Sequence, residues 1–194
     1  MINYPNKKKS TSQKLSSTAN RGMGLELMIN NTNDFYLDND LAVVYKKPIP
    51  IQIVSVDYKA RSAAKIVEAY YKLPSTTDYN GIYKGKYIDF EAKETKSKTS
   101  FPIKNIHEHQ VLHLDKVKRH GAISFIIVYF SLLGRIFFLD SDYVYKFYHR
   151  SKSGSKSISL KEFEEFGHEI IEGYRKPVDY LKIIDEYYLK APQK

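Results

Sequence analysis

Asp78, Glu91 and Lys93 have side chains that together could cleave a phosphodiester. They fall in one short stretch, STTDYNGIYKGKYIDFEAKET, which spans residues 75–95. Hard divalent cations such as Mg²⁺ prefer oxygen ligands, which carboxylates supply. A lysine beside them could stabilise developing negative charge or help to activate a water. The residue types therefore point to metal-assisted phosphodiester cleavage, provided that the fold brings them together.

The stretch is typical of a β-hairpin, which would place these residues on one face. If Lys84-Gly85 forms the two-residue turn, in which glycine can take the required positive φ, Asp78 lies directly opposite Glu91. Directly opposed residues share a face, and so do residues two apart on one strand. Thr76 and Lys93 then belong to the same face as the two acids.

Two features leave the interpretation of this hairpin open. Asn80-Gly81 is a stronger turn signal than Lys84-Gly85, and a turn there would break the pairing but leave Glu91 and Lys93 on one face. A solvated hairpin face with mixed charges is also common, and it would explain the same spacing without any chemistry. Opposed carboxylates repel in an ordinary strand pair, whereas a bound divalent cation would remove that repulsion.

The composition favours one domain with an anionic partner. The chain has 194 residues, a formal net charge of +9 and a sequence pI of about 9.4, and this length allows a sizeable core. Such basicity favours nucleic acid first and an anionic membrane surface second. A lysine-rich proteome would produce the same excess of positive charge, so basicity alone does not identify the partner.

The chain contains no cysteine, which excludes disulfides and thiolate–zinc sites and fits a reducing cytoplasm. The longest apolar runs, such as residues 122–130, are too short to span a bilayer. The N-terminus lacks the apolar segment of a secretory signal. We therefore expect a cytoplasmic protein with no membrane partner.

The hydrophobic pattern predicts a mixture of helices and strands after a basic, disordered arm over residues 1–19, with a single domain over 20–194. The predicted elements, in order, are a helix from Asn20 to about Leu37, a strand over 42–45, a helix over 106–119, a strand over 122–130 that is buried on both faces, a strand over 135–139, a helix capped by Asp140 or Ser141, a capping box formed by Ser159 and Glu162, and a last helix from about Val178.

The region from about residue 46 to 71 is expected to project from the sheet. Pro48 and Pro50 exclude a central strand there. The alternation of apolar residues around Ile51 is typical of an extended chain, whereas residues 63–71 fit either a strand or a helix. If both halves are extended, they form a long hairpin whose tip carries basic residues.

Two helices could add ligands to the hairpin site. Gln110 lies in the first turns of the helix that follows the hairpin, where its side-chain carbonyl could bind a metal ion. Glu26, in the first helix, is either a surface glutamate or a third acid at the site. His107, His109 and His113 suggest zinc, but HEHQV is not HExxH and no cysteine supports them, so we do not expect a zinc site.

Four strings of this sequence together resemble the RecU family of Holliday junction resolvases from Gram-positive bacteria and mycoplasmas. The resemblance extends from about Asn20 nearly to the C-terminus, and it departs from the family pattern at Gly24, where a threonine or a similar residue is expected. The strings are NRGMGLE (residues 20–26), KKPIPIQIVSVDY (46–58), STTDYNGIYKGKYIDFEAKETKSKTSFP (75–102) and HEHQ (107–110).

The resemblance implies a restriction-endonuclease-like α/β fold, in which helices flank a mixed sheet and a stalk hairpin projects from it. It implies a symmetric homodimer that nicks two opposed strands of a four-way DNA junction with Mg²⁺ or Mn²⁺. Family members act in recombination and DNA repair, so the strand-exchange recombinase is a further expected partner. A non-catalytic, architectural junction-binding protein with the same fold is the alternative.

The family's site residues carry over position by position. Thr76, Asp78, Glu91 and Gln110 would bind the metal ion, and Lys93 would stabilise the transition state, so that Asp78, Glu91 and Lys93 form the catalytic set.

The stalk, residues 46–71, would reach into the centre of the junction. The residues expected to contact DNA are Arg21, Lys46, Lys47 and Arg61.

Overall fold

The computed structural model describes residues 24–60, 62–72 and 76–190. Its helices are α1 (Leu25–Asp38), α2 (Glu108–Arg119), α3 (Ser141–Ser153), α4 (Leu160–Phe166) and α5 (Tyr180–Tyr187). Its strands are β1 (Val43–Lys46), β2 (Ile51–Asp57), β3 (Lys65–Tyr71), β4 (Tyr79–Tyr83), β5 (Lys86–Thr95), β6 (Ser100–Pro102), β7 (Ile123–Phe130), β8 (Arg135–Asp140), β9 (Ser157–Ser159) and β10 (His168–Ile170). The basic arm over 1–19, Arg21 and Arg61 lie outside the described residues.

A six-stranded mixed sheet, in the order β1-β4-β5-β7-β8-β10, forms the centre of the molecule. Its strands pair antiparallel except for β5 and β7, which are parallel and are joined through α2. Parallel strands run in the same direction, so the chain must return to the starting edge of the sheet between them. A short turn cannot do this, and a crossover is needed. The α/β class and the mixed sheet that the sequence predicted are therefore confirmed.

The helices cover both faces of this sheet. On one face, α1 and α5 pack with side chains such as Ile29 and Tyr180 against the sheet. On the other face, α2, α3 and α4 pack with side chains such as Leu114, Phe147 and Phe163. Each hydrophobic cluster buries one side of the sheet, which is why the fold needs helices on both.

Strand β7 shows this arrangement most clearly. Phe125 and Ile127 point into the cluster beneath α1 and α5, whereas Ile126 and Val128 point into the cluster beneath α2 to α4. Because successive side chains of a strand alternate between faces, a strand covered on both sides must be apolar at nearly every position. The predicted strand over residues 122–130, buried on both faces, is confirmed.

The turn between β4 and β5 is the one at Lys84-Gly85. Both residues have positive φ, 47° for Lys84 and 75° for Gly85, as a two-residue hairpin turn requires. Tyr83 pairs with Lys86 across it. The predicted register of this hairpin is therefore confirmed in the paired residues.

The alternative prediction of a turn at Asn80-Gly81 is wrong, because both residues lie inside β4. Gly81 pairs with Val44 of the neighbouring strand. A Cβ atom at residue 81 would lie 2.1 Å from the carbonyl oxygen of Val43 and 2.6 Å from Cα of Val44. Glycine is thus present at this position to allow the close approach of β1 rather than to form a turn.

Strands β2 and β3 form a separate two-stranded antiparallel sheet between β1 and β4 in the chain. Every described residue of both strands is exposed, so the hairpin projects from the body of the molecule. Both halves of the predicted stalk are extended, and the helical alternative for residues 63–71 is wrong. The pairing is irregular between Ile53 and Val56.

Helix boundaries differ from the sequence expectation at two starts. Helix α1 begins at Leu25, with Gly24 extended as its N-cap; Asn20, the predicted N-cap, lies outside the described residues. Helix α2 begins at Glu108, since Ile103–Asn105 form a 3₁₀ turn before it. Among the described residues, none of the helices is both long and apolar enough to cross a membrane.

The predicted capping box at the start of α4 is confirmed. Ser159 Oγ accepts a hydrogen bond from the main-chain N–H of Glu162 at 3.2 Å, and Glu162 Oε2 accepts one from the main-chain N–H of Ser159 at 2.7 Å. Arg150 also forms an ion pair with Glu162. The bond from Arg150, opposed by partial burial and helped by Ser159, lowers the pKa of Glu162 to about 2.

Replacing Glu162 by glutamine should therefore destabilise the fold in a pH-dependent way. The folded pKa lies below the ordinary value of 4.5, so the carboxylate stabilises the fold above that pH and the effect is lost as the pH falls towards 2. We expect Glu162→Gln to lower the free energy of unfolding by about 1–2 kcal/mol at pH 7, allowing for solvent screening, and by roughly half of that or less at pH 3.

Urea unfolding at pH 7 and pH 3 measures this difference. Glu165→Gln is the matched control, because Glu165 is exposed on the same helix, and it should change stability by no more than about 0.5 kcal/mol. An equal loss for Glu162→Gln at both pH values would contradict the prediction and assign the effect to hydrogen-bond geometry instead of charge.

Candidate active site

Asp78 and Glu91 meet at the end of the β4–β5 ladder. The last pair of that ladder is Tyr79 with Phe90, so Asp78 lies just outside strand β4. The main-chain N–H of Asp78 donates a hydrogen bond to Glu91 Oε2 at 3.1 Å. The two carboxyl-bearing residues are therefore in contact, as the sequence predicted, although Asp78 is not itself a ladder residue.

The alternation of β5 separates the site from the core. Ile88 and Phe90 lie in the cluster beneath α1 and α5. Glu91 and Lys93 lie on the opposite face, the face that α2 covers. Lys93 Nζ is 2.7 Å from Glu91 Oε1, and their side chains are 22% and 0% exposed. The predicted face shared by Glu91 and Lys93 is thus present, and it is not a solvated one.

One oxygen of Glu91 has no hydrogen-bond partner. Glu91 Oε1 is held by its ion pair with the ammonium of Lys93, whose approach lacks hydrogen-bond geometry. Buried carboxylate oxygens are normally hydrogen-bonded. An oxygen held by charge alone keeps lone pairs that a hard cation could use, and Mg²⁺ takes oxygen ligands from one or two carboxylates.

The electrostatics of Glu91 agree with this donor set. Burial raises the pKa of Glu91 to about 7, and the negative charge of Asp78 adds to the rise, whereas the ammonium of Lys93 opposes it. A divalent cation at the site would favour the ionised carboxylate in the same way as Lys93, and more strongly. The residues present therefore fit a bound divalent cation.

The two uncharged candidate ligands are Thr76 and Gln110. Thr76 is half-buried and precedes β4, so its predicted position opposite Lys93 is not a ladder pair. Gln110 is buried in the first turn of α2, and its Oε1 accepts a hydrogen bond from the main-chain N–H of His107 at 3.0 Å. A carbonyl oxygen has a second lone pair, which leaves one for a ligand. Among the described residues, no hydrogen bond joins Gln110 to Asp78, Glu91 or Lys93.

The three histidines in and just after HEHQV contact different groups. The rings of His107 and His109 stack with centroids 5.5 Å apart, while His113 Nε2 is 3.2 Å from Asp89 Oδ2. Within the described part of the chain, no group of three or more His, Cys, Asp or Glu side chains converges as a metal site would require.

Asp89 is a residue of this face that the sequence reasoning missed. It lies two residues before Glu91 on the same face of β5, and its side chain is 0% exposed. The alternation that placed Glu91 and Lys93 together also places Asp89 with them, so the signal was present. Burial alone would raise its pKa, but hydrogen bonds from His113, Lys47 and Thr77 hold the pKa of Asp89 below its ordinary value.

Lys46 and Lys47, both expected to contact DNA, are placed differently. Lys46 Nζ is 2.5 Å from Glu26 Oε1, and both side chains are largely accessible; the open alternative for Glu26 is thereby decided in favour of a surface glutamate. Lys47 is only 16% exposed, with Nζ 2.8 Å from Asp89 Oδ2. The ammonium of Lys47 is thus engaged by a buried acid, and its contact with DNA stays a prediction.

The sequence is similar to a known protein family over most of its length. The family model described as "RecU: Recombination protein U" matches residues 20–186. A Holliday junction resolvase RecU from Geobacillus sp. is 53% identical over 170 residues, covering 87% of this chain and 85% of the relative. One from Bacillus cytotoxicus is 50% identical over 196 residues, covering 96% of this chain and 98% of the relative.

The solved structure of Hjc, a Holliday junction resolvase from Archaeoglobus fulgidus, is also similar to this chain. The match covers 70% of this chain and 90% of Hjc, with 12% sequence identity and a TM-score of 0.40.

Proposed function

The chain belongs to the RecU family, and from this premise we propose that it is an endonuclease that resolves four-way (Holliday) DNA junctions by paired nicking, in recombination and DNA repair. The observation that carries the proposal is the contact of buried Glu91 with both Asp78 and Lys93. A protein that only bound junctions would have no need to bury a glutamate beside a second carboxyl, since the arrangement costs stability without a cation.

We propose that Asp78 and Glu91 bind Mg²⁺, for which Mn²⁺ can substitute, and that Thr76 and Gln110 supply further oxygen atoms. The contacts of buried Glu91 with Asp78 and Lys93 support this donor set. When bound, the ion would polarise the scissile phosphate and lower the pKa of a coordinated water. The main-chain N–H of Asp78 holds Oε2 of Glu91, which fixes the orientation of the carboxylate.

Lys93 is proposed to stabilise the negative charge that develops on the phosphate during cleavage. Its ammonium lies against Glu91 and its side chain is 22% exposed, so the side chain is partly accessible to DNA yet held in place by the carboxylate. A fixed positive charge in a poorly hydrated site stabilises a transition state more than a mobile surface lysine would, because no reorganisation is needed during the reaction.

The proposed substrate explains the charge and the outline of the molecule. The net charge of +9 would bind the backbone and the branched shape of DNA without reading its bases. A C₂ homodimer would present two sites to a junction of matching symmetry, with the β2–β3 stalk directed to the junction centre. Arg21, Lys46 and Arg61 remain proposed DNA contacts, the strand-exchange recombinase a proposed partner, and the cytoplasm the proposed location.

A cleavage assay across DNA structures tests this function. With Mg²⁺, a labelled four-way junction should be nicked in two opposed strands, whereas linear duplex and single-stranded DNA of the same sequence should stay intact. Without a divalent cation, the junction should be bound but not cut. Junction binding without nicking in either Mg²⁺ or Mn²⁺ would contradict the proposal and identify a non-catalytic, architectural protein.

A further inference from the structure

Two of the proposed metal ligands lie in a segment that the central sheet does not hold by its ladder. Thr76 and Asp78 both precede β4, which begins at Tyr79. The paired residues of β4 end at Tyr79 on both sides, yet a metal site works only if its ligands are held in place. Some other set of contacts must position this segment.

The contacts come from Lys47, the residue that follows β1. Its main-chain N–H donates a hydrogen bond to the carbonyl oxygen of Asp78 at 2.7 Å. Its side chain turns inward, and Nζ donates a hydrogen bond to Thr77 Oγ1 at 2.8 Å and another to Asp89 Oδ2 at 2.8 Å. A single residue thus forms hydrogen bonds with both Asp78 and its neighbour Thr77.

Asp89 is the buried anchor of these contacts. Besides Lys47, it accepts a hydrogen bond from the hydroxyl of Thr77 and one from Tyr87 at 2.9 Å, and it lies 3.2 Å from Nε2 of His113. Four neighbours surround a carboxylate that has no exposed surface. Its oxygens are occupied by protein donors, so Asp89 is not available as a third carboxylate ligand even though it shares a face with Glu91.

We propose that Lys47 and Asp89 are positioning residues for the metal site: through Thr77 they hold the flanking ligands Thr76 and Asp78 in place beside Glu91. The inference rests on the proposed function, since it requires that Asp78 binds a metal ion. It assigns Lys47 a role in the site and not a contact with DNA. Partners of this kind, one shell outside the ligands, typically change metal affinity by 10–100-fold when they are removed.

Isothermal titration calorimetry of Mn²⁺ into the full chain, without DNA, is the test. Lys47→Met keeps the length of the side chain and removes its ammonium. We expect Mn²⁺ to bind this variant about 10-fold more weakly than the unaltered protein, or weaker still. In the same variant, the affinity for a four-way junction in the absence of metal, and its dependence on salt concentration, should stay unchanged.

Lys118→Met is the matched control. Lys118 is also a partly buried lysine paired with acids, here Asp140 and Asp142, but it does not touch the site. Its replacement should lower thermal stability and leave Mn²⁺ binding unchanged. If Lys47→Met does not fold, because Asp89 is left buried without its cation, the double variant Lys47→Met/Asp89→Leu removes both charges, a change that is often neutral for stability. It should bind Mn²⁺ as weakly as the single variant.

A folded variant that binds Mn²⁺ within about twofold of the unaltered protein would overturn the inference. Unchanged Mn²⁺ binding together with weaker, less salt-dependent junction binding would overturn it in favour of Lys47 as a phosphate contact. Asp78→Ala separates a failure of the positioning role from a failure of the proposed metal site, since it should abolish Mn²⁺ binding. If Asp78→Ala binds Mn²⁺ like the unaltered protein, the metal site itself is wrong, and the positioning role is overturned with it.

Discussion

Replacing Glu91 by glutamine should reduce Mg²⁺-dependent cleavage of a four-way junction by on the order of 10³-fold while leaving junction binding intact. Glutamine has nearly the same shape and still offers an oxygen to the main-chain N–H of Asp78, which Glu91 Oε2 now accepts at 3.1 Å. The substitution removes only the negative charge that would bind the cation. Single-turnover cleavage, with binding measured separately by electrophoretic mobility, distinguishes the two effects.

The same substitution should stabilise the metal-free protein. Burial raises the pKa of Glu91 from 4.5 to about 7, so the folded state binds a proton that the unfolded state has lost between these values. Ionising this carboxyl therefore costs stability as the pH rises through that window. We expect Glu91→Gln to raise the free energy of unfolding by about 2–3 kcal/mol at pH 8 and to have little effect at pH 4.

Glu94→Gln is the control for both measurements, because Glu94 carries the same side chain on the same strand but is exposed. It should change cleavage by less than about twofold and stability by no more than about 0.5 kcal/mol. Saturating Mg²⁺ should stabilise the unaltered protein and not Glu91→Gln, since only a state that binds the ion gains from it. Full cleavage by Glu91→Gln would remove Glu91 from the metal site.

Lys93→Met should reduce the rate of cleavage by about 10²–10³-fold with little change in junction affinity. Methionine keeps most of the aliphatic stem, so the loss measures the ammonium that lies 2.7 Å from Glu91 Oε1. Because that ammonium lowers the pKa of Glu91, its removal should also raise that pKa further. Single-turnover rates at saturating protein isolate the chemical step from binding.

Lys96→Met controls for the loss of one positive charge near the site. Lys96 is exposed just beyond the end of β5, so its replacement should leave the single-turnover rate within about twofold, as for other exposed positions away from a functional contact. If Lys93→Met instead weakened junction binding and left the rate at saturation unchanged, Lys93 would be a DNA contact and not a transition-state stabiliser.

Much of the site could be predicted from local rules. A turn at Lys84-Gly85 and strand alternation were enough to put Glu91 and Lys93 on one face and Phe90 on the other, because both rules depend only on neighbouring residues. The buried strand β7 could also be predicted from the sequence, since a strand covered on both faces must be apolar along its length. These features persist in the structure with the predicted pairing.

The choice between the two turns required the tertiary structure. Asn80-Gly81 has the stronger local signal, yet Gly81 is needed where β1 approaches within a distance that no Cβ atom would tolerate. Whether the hairpin face was solvated was also undecided by the spacing. The packing of α2 over β5 made it a covered face, and that burial is what shifts the pKa of Glu91.

The sequence by itself determined which residues share a face, because alternation and turn geometry act over a few residues. Only the tertiary structure decided that Asp89 is buried and that Lys47 pairs with it across the sheet at 2.8 Å. That contact depends on the register of β1 against β4, in which Lys46 pairs with Tyr79. No local pattern specifies how strands so distant in the chain align, and so the sequence alone could not place the ammonium of Lys47 against Asp89.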